Sequence, residues 1–270
     1  MKNSYESLFW RANYAIVIGV LCLGTQAALA SPTINWASWL TAGAGWDGTA
    51  AGTLLTSTGD ITVSYRGELW GAQMLAGRGL YGGGDANYWT DYTSSAPSPY
   101  ISDGVPNAPS SSDILALTGV HGITNTLTFS TPVTDPVMAF VSVGRPGIEV
   151  DYAFDAPFDI ASSGRGWWST YYNILPNGGL FAQSGNTLRG EEGDGVIQFH
   201  GTFSSISWTS TSGIEVWQGF TIGVDPPGPP GAVPEPGSLA LLALAMGCLA
   251  FTQRKQLRCL RGPGSVLQGR

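Results

Sequence analysis

The eleven residues Val150-Asp151-Tyr152-Ala153-Phe154-Asp155-Ala156-Pro157-Phe158-Asp159-Ile160 decide the fold class of this chain. Apolar side chains stand at Val150, Tyr152, Phe154, Ala156, Phe158 and Ile160, while Asp151, Asp155 and Asp159 occupy the alternate set. An extended strand points successive side chains to opposite faces, so this period of two predicts one buried and one wet face. Pro157 has no N–H to give to a ladder, so it marks an edge position or a bend.

The same rhythm recurs on either side. Ile61/Val63/Tyr65, Leu127/Phe129 and Val216/Phe220/Ile222/Val224 alternate with polar or small residues. Val137–Val143 (VMAFVSV) is apolar on both faces and predicts an interior strand. Gly195–His200 and Phe203–Thr209 flank Gly201 as hairpin partners would. Only Leu69–Ala76 suits a short helix, and no stretch keeps a sustained 3.6-residue period. Many short strands between Gly-, Ser-, Asn- and Pro-rich turns predict an all-β body, an antiparallel sandwich or jelly roll.

The two ends read as targeting segments and are set apart from the body. At the N-terminus, Lys2 and Arg11 precede the apolar stretch Tyr14–Leu23, followed by Ala28-Leu29-Ala30 and Ser31. Small residues at −3 and −1 suit signal peptidase, so residues 1–30 are expected to be a signal peptide cleaved between Ala30 and Ser31. The body is then residues 31–224, and residues 225–232 (DPPGPPGA) form a Pro/Gly linker. Val233-Pro234-Glu235-Pro236-Gly237 comes next, then the apolar run Ser238–Phe251 and the pair Arg254-Lys255. As a helix, fourteen residues reach only about 21 Å, short of a hydrocarbon core of about 30 Å. The basic pair would stay cytoplasmic, leaving the body outside the inner membrane.

Val-Pro-Glu-Pro, a short apolar helix and a basic cluster, in that order, resemble the PEP-CTERM sorting signal. The resemblance covers residues 233–255 and implies recognition and removal by the membrane protease exosortase. It implies a destination in the cell envelope, at the outer surface or in an extracellular matrix such as a biofilm. The sorting residues implied are Val233, Pro234, Glu235, Pro236, Arg254 and Lys255. The family usually ends soon after its basic cluster, whereas this chain continues as a basic tail over residues 256–270.

Composition narrows what the body does. Residues 31–232 hold five arginines and no lysine against seventeen acids, a net charge near −12. Such a surface repels phosphate backbones, which argues against nucleic acid as a partner. Cys22, Cys248 and Cys259 all lie in the terminal segments, so the body has neither disulfides nor thiolate ligands.

Catalytic motifs are sparse. Gly77-Arg78-Gly79-Leu80-Tyr81-Gly82 matches G-x-G-x-x-G, but Gly83-Gly84-Asp85 opens no helix behind it, so it reads as a loop. His121 and His200 are the only histidines and read as turn or surface residues. Glu191-Glu192-Gly193-Asp194 is the densest acidic cluster and reads as a solvated turn. No cofactor is expected; calcium suits this cluster better than catalysis does, since it takes many oxygen ligands from loops, but no D-x-D-x-D-G loop fixes a metal site.

The body also carries nine tryptophans. Trp167, Trp168, Tyr171 and Tyr172 follow a Gly/Ser turn and suggest a flat aromatic platform for sugar faces. The plainer reading has these rings covering one end of the sandwich. The expected function is that of a non-enzymatic exported protein that binds polysaccharide, with signal peptidase and exosortase as partners in transit. The alternative is a secreted carbohydrate-active enzyme with a carboxylate pair near Glu191–Asp194.

Overall fold

The computed structural model describes residues 33–225 apart from 57–58, 74–86, 91–92, 94–97, 112, 120–121, 172–178, 213–214 and 216. The chain divides into Met1–Pro32 and Thr33–Arg270, and every described residue belongs to the second unit. The signal segment, the linker after Asp225, the sorting segment and the tail lie outside the described residues.

Five strands open the fold: β1 (Asn35–Trp36), β2 (Ser38–Gly43), β3 (Gly45–Leu54), β4 (Ile61–Leu69) and β5 (Gly71–Gln73). Five more follow: β6 (Ile114–Leu117), β7 (Thr124–Thr134), β8 (Val137–Val143), β9 (Val150–Phe154) and β10 (Phe158–Gly164). After a one-turn helix α1 (Trp167–Tyr171) come β11 (Phe181–Ser184), β12 (Thr187–Gly190), β13 (Gly193–Phe199), β14 (Thr202–Ser212) and β15 (Gln218–Val224). They form two antiparallel sheets. The seven-stranded sheet runs β10-β13-β8-β15-β6-β5 with β1 added on β15; the eight-stranded sheet runs β11-β12-β9-β14-β7-β4-β3-β2. The all-β sandwich is therefore as the alternation predicts.

Val150–Ile160 keeps its alternation but is two strands rather than one. β9 lies in the eight-stranded sheet and β10 at the edge of the other, with the corner at Asp155–Pro157. Pro157 is the bend foreseen above. Phe154 and Phe158 still face the same interior, because both sheets line one core. Asp151 lies on the opposite face yet is largely covered by Arg189, which grips both of its oxygens at 2.6 and 2.7 Å.

Two local expectations fail. β13 and β14 flank Gly201 but enter different sheets, so they are not hairpin partners. Within Leu69–Ala76 the described residues are the end of β4 and the short β5, which pairs with β6. The first fails because local pattern shows that a strand forms, but not which distant strand it pairs with, and the second because pairing of β5 with β6 overrides a weak helical preference.

The main core lies between the sheets and is dominated by rings, among them Phe140, Tyr152, Phe154, Phe199, Trp208 and Phe220. β8 is central in its sheet and wholly buried, as its two-sided apolar sequence requires. Its outer face, with Val137, Ala139 and Val141, packs under a second cluster containing Trp89, Tyr100, Val105 and Trp217. The outer face of the eight-stranded sheet is hydroxylic instead. One register row across it reads Ala51, Ser64, Thr128 and Ser205.

Candidate functional site

Two places in the body combine polar chemistry with shape. The first is buried at one end of the sandwich, where the two-residue link Glu191–Glu192 carries the chain from β12 to β13, from one sheet to the other. The expected solvated turn is therefore interior: Glu192 is 2% exposed and Asp194 fully buried. Opposite them β8 bulges, because Gly193 pairs with Val143 but Gly195 with Phe140. The extra residue of the bulge puts Ser142 at φ 62°, and Glu192 sits at φ 52°. Both values are in the left-handed region that non-glycine residues rarely occupy. The two strained residues hold each other, Ser142 Oγ donating to Glu192 Oε2 at 2.6 Å.

Asp194 is held on all sides. Its Oδ1 accepts from Tyr100 Oη at 2.9 Å and Ser142 N at 3.0 Å. Its Oδ2 accepts from Gly166 N at 2.9 Å and Ser169 Oγ at 3.1 Å. Burial nevertheless pushes its carboxyl up to about 7, against the pull of those four bonds. Glu192 is pushed up to about 8, first by burial and then by the negative charge of Asp194, Glu215 and Glu191, with the Ser142 bond acting against the shift. Glu68 lies at the same end, its Oε1 accepting from both the N–H and the hydroxyl of Thr118. The Tyr152 hydroxyl is raised well above its usual range by burial, then by Glu68, Tyr65 and Glu215.

The second place is an open cleft of about 360 Å³ at the sheet margin. Trp46 and Trp70 stand on it, 63% and 48% exposed, with Glu68 and Thr118 also in its lining. Trp46 falls in a bulge of β3, where Gly45 pairs with Leu69 and Gly48 with Gly67. Trp70 sits where the chain leaves β4 for β5 and so changes sheet, and its N–H is anchored on the Ala116 carbonyl at 2.8 Å. At these irregularities both rings stay largely open to water. Asp47, next to Trp46, lines a second hollow of about 560 Å³ with Thr49, Ser64, Thr126 and Thr128. Arg66 holds Asp47 there through paired bonds of 2.7 and 2.5 Å.

The predicted aromatic group is elsewhere. Trp167, Trp168 and Tyr171 form α1, while Tyr172 lies outside the described residues. Trp168 is half-buried against the second cluster, stacking on Tyr88 at 5.8 Å and 22° and meeting Trp217 edge-on at 6.3 Å. Tyr171 is 52% exposed. His200 pairs with Asp159 at 2.9 Å on the surface, and His121 and Gly77–Gly82 lie outside the described residues. Among the described residues, no three His, Cys, Asp or Glu side chains are placed to hold a metal ion.

Sequence reasoning passed over Trp46 and Trp70. Their one local signal is a tryptophan beside glycine at a strand irregularity, Gly45-Trp46 and Trp70-Gly71. It also left Glu68 and Glu215 unremarked, since an isolated acid near a strand end looks the same whether solvated or buried.

Residues 232–255 match the PEP-CTERM protein-sorting motif. The chain carries a PEP-CTERM sorting signal. A PEP-CTERM protein is exported and sorted by exosortase, so the sandwich serves in the cell envelope or at its surface. No curated protein and no solved structure matches the chain. Among the described residues no helix is long and apolar enough to cross a membrane, and the apolar run of the PEP-CTERM segment falls outside them.

Proposed function

We propose that this PEP-CTERM protein is a non-enzymatic envelope protein whose body binds a neutral polysaccharide in the Trp46–Trp70 cleft. The observation that carries the reading is the pair of exposed tryptophans on one open groove. Flat rings offer apolar area to sugar faces, and the adjoining threonine and serine hydroxyls suit sugar hydroxyls. The net charge near −12 disfavours acidic polymers. A binding role is further supported by the enclosure of Glu192 and Asp194, which stand inside the fold rather than across an open cleft.

The double variant Trp46→Ala/Trp70→Ala tests this reading. Retention on neutral glycan gels is expected to fall about tenfold or more, while the melting temperature stays within a degree or two, since exposed substitutions rarely cost more than about 0.5 kcal/mol. Unchanged retention rejects the cleft. Trp168→Ala supplies the comparison: a lower melting temperature with normal retention makes α1 a cover, and the reverse makes it the sugar platform.

Processing of both ends belongs to the same reading. Envelope material is expected to begin at Ser31 on N-terminal sequencing, with Ala28 and Ala30 as the cleavage determinants. Deleting residues 238–270 is expected to move the protein into soluble fractions. A start at Met1, or a retained tail in a host with exosortase, would make the segment concerned an anchor.

A further inference from the structure

We propose that the glycan held in the Trp46–Trp70 cleft is a linear polymer of the extended-ribbon class, which continues past the cleft into the hollow around Asp47 and Arg66. This inference rests on the polysaccharide reading of the cleft and adds what kind of chain it takes and where that chain runs.

The cleft and the hollow are neighbours along two paired strands. On β3 the cleft takes Gly45 and Trp46, and the hollow begins at Asp47; on β4 the cleft takes Glu68 and Leu69, and the hollow begins at Arg66. Alternation along a regular strand would send Trp46 and Asp47 to opposite faces. The bulge between Gly45 and Gly48 lifts that constraint, because β3 carries one residue more than β4 there, and both side chains are exposed. Asp47 reaches Arg66 on the hydroxylic face, while Trp46 stays on the cleft. From Trp70 back to Ser64 the chain runs six residues, about 20 Å of extended backbone. A straight run of several sugar rings covers such a span, whereas a coiled glycan would leave it.

The chemistry of the hollow suits the edge of a sugar. Its charged lining residues are Asp47 and Arg66, which cancel, in a body with seventeen acids and five arginines. A locally neutral surface favours a neutral polymer. The pair is 69% exposed on both sides, a setting in which an ion pair adds little to stability. What it offers instead is a planar fork. Arg66 bonds Asp47 through Nε and Nη2, so Nη1 is used in neither bond, and each Asp47 oxygen has a second lone pair. Donors and acceptors side by side match vicinal sugar hydroxyls, each of which donates and accepts. In register, Arg66 sits between Thr49 and Thr126, so a hydroxyl flanks the fork on either side. Sugars joined through equatorial bonds, as in cellulose-type glucans, form a ribbon with C–H faces for the rings and hydroxyl edges for the fork.

The test uses the full exported protein and the series cellobiose, cellotetraose and cellohexaose in titration calorimetry, with hydroxyethyl cellulose and dextran in affinity gels. Affinity is expected to rise about tenfold or more from cellobiose to cellohexaose, because the hollow is then engaged by the same molecule. Asp47→Asn/Arg66→Gln and Thr49→Val/Thr126→Val are each expected to bring cellohexaose down to the cellobiose level. Both should leave cellobiose binding and the circular dichroism melt unchanged. Equal affinity along the series in the parent, or variants that hold cellohexaose as the parent does, overturns the extension. Loss of binding in Trp46→Ala/Trp70→Ala would then still leave the cleft reading standing. Retention on dextran in place of the cellulose series overturns the ribbon class. A parent that holds none of these glycans removes the cleft and the extension together.

Discussion

Phe154→Asp is expected to leave the body unfolded. The Phe154 ring is 6% exposed and meets Phe158 at 5.3 Å, Phe199 at 5.4 Å, Trp208 at 5.8 Å and Phe140 at 6.2 Å. Removing such a ring costs about 3–5 kcal/mol before any charge is considered. An aspartate there must also ionise without a partner or hold its proton, adding several kcal/mol. The sum rivals the whole stability of a domain, about 5–15 kcal/mol. One residue on, the effect should nearly vanish. Asp155 is exposed, and its main contact is an Oδ1 that accepts from Ser207 N at 2.9 Å. Asp155→Ser is expected to cost about 1 kcal/mol or less. Circular dichroism melts of the two variants check the pair. Similar losses would mean that Phe154 is not a core anchor.

Stability is expected to fall as the pH rises from about 4 to about 8. Glu192 and Asp194 are raised to about 8 and about 7 in the folded chain, from ordinary values of 4.5 and 3.8. Between about pH 4 and pH 8 the folded chain therefore holds protons that the unfolded chain has released. That contribution is whole below the unfolded values and is lost as pH climbs through the folded ones. Two shifts of this size amount to several kcal/mol, to order of magnitude. Urea midpoints at three pH values would measure the loss. Glu192→Gln keeps the reach to Ser142 but cannot ionise, so it should flatten the profile and stabilise the body at high pH. A parent profile that is flat or rises with pH would contradict the buried state of the pair.

Residues 150–160 show how far local pattern reaches. The alternation of Val150, Tyr152 and Phe154 with Asp151 and Asp155 specifies extended backbone with one apolar face, because side-chain direction in a strand depends only on parity. The same argument covers Ile61–Tyr65, Val137–Val143 and Phe220–Val224. Charge and cysteine placement are sums over residues, and the sorting signal is contiguous, so neither needs a fold to be seen. These features by themselves determine an exported, disulfide-free β body ahead of a PEP-CTERM segment.

Parity does not say which interior a face meets. Only the tertiary structure decides that the chain turns at Pro157 from one sheet to the other, or that β13 and β14 part company at Gly201. These choices rest on pairing between residues far apart in sequence, where the energy lies in packing rather than propensity. Burial of the acids was hidden for the same reason. Glu191-Glu192-Gly193-Asp194 has the composition of a solvated turn, and it is interior because its link crosses the end of the core. The reverse holds for Trp46 and Trp70: their type suggests core, and at a bulge and a sheet change both rings stay open to water. Residue type sets what a side chain can do, and the crossing of the chain between sheets sets whether water reaches it.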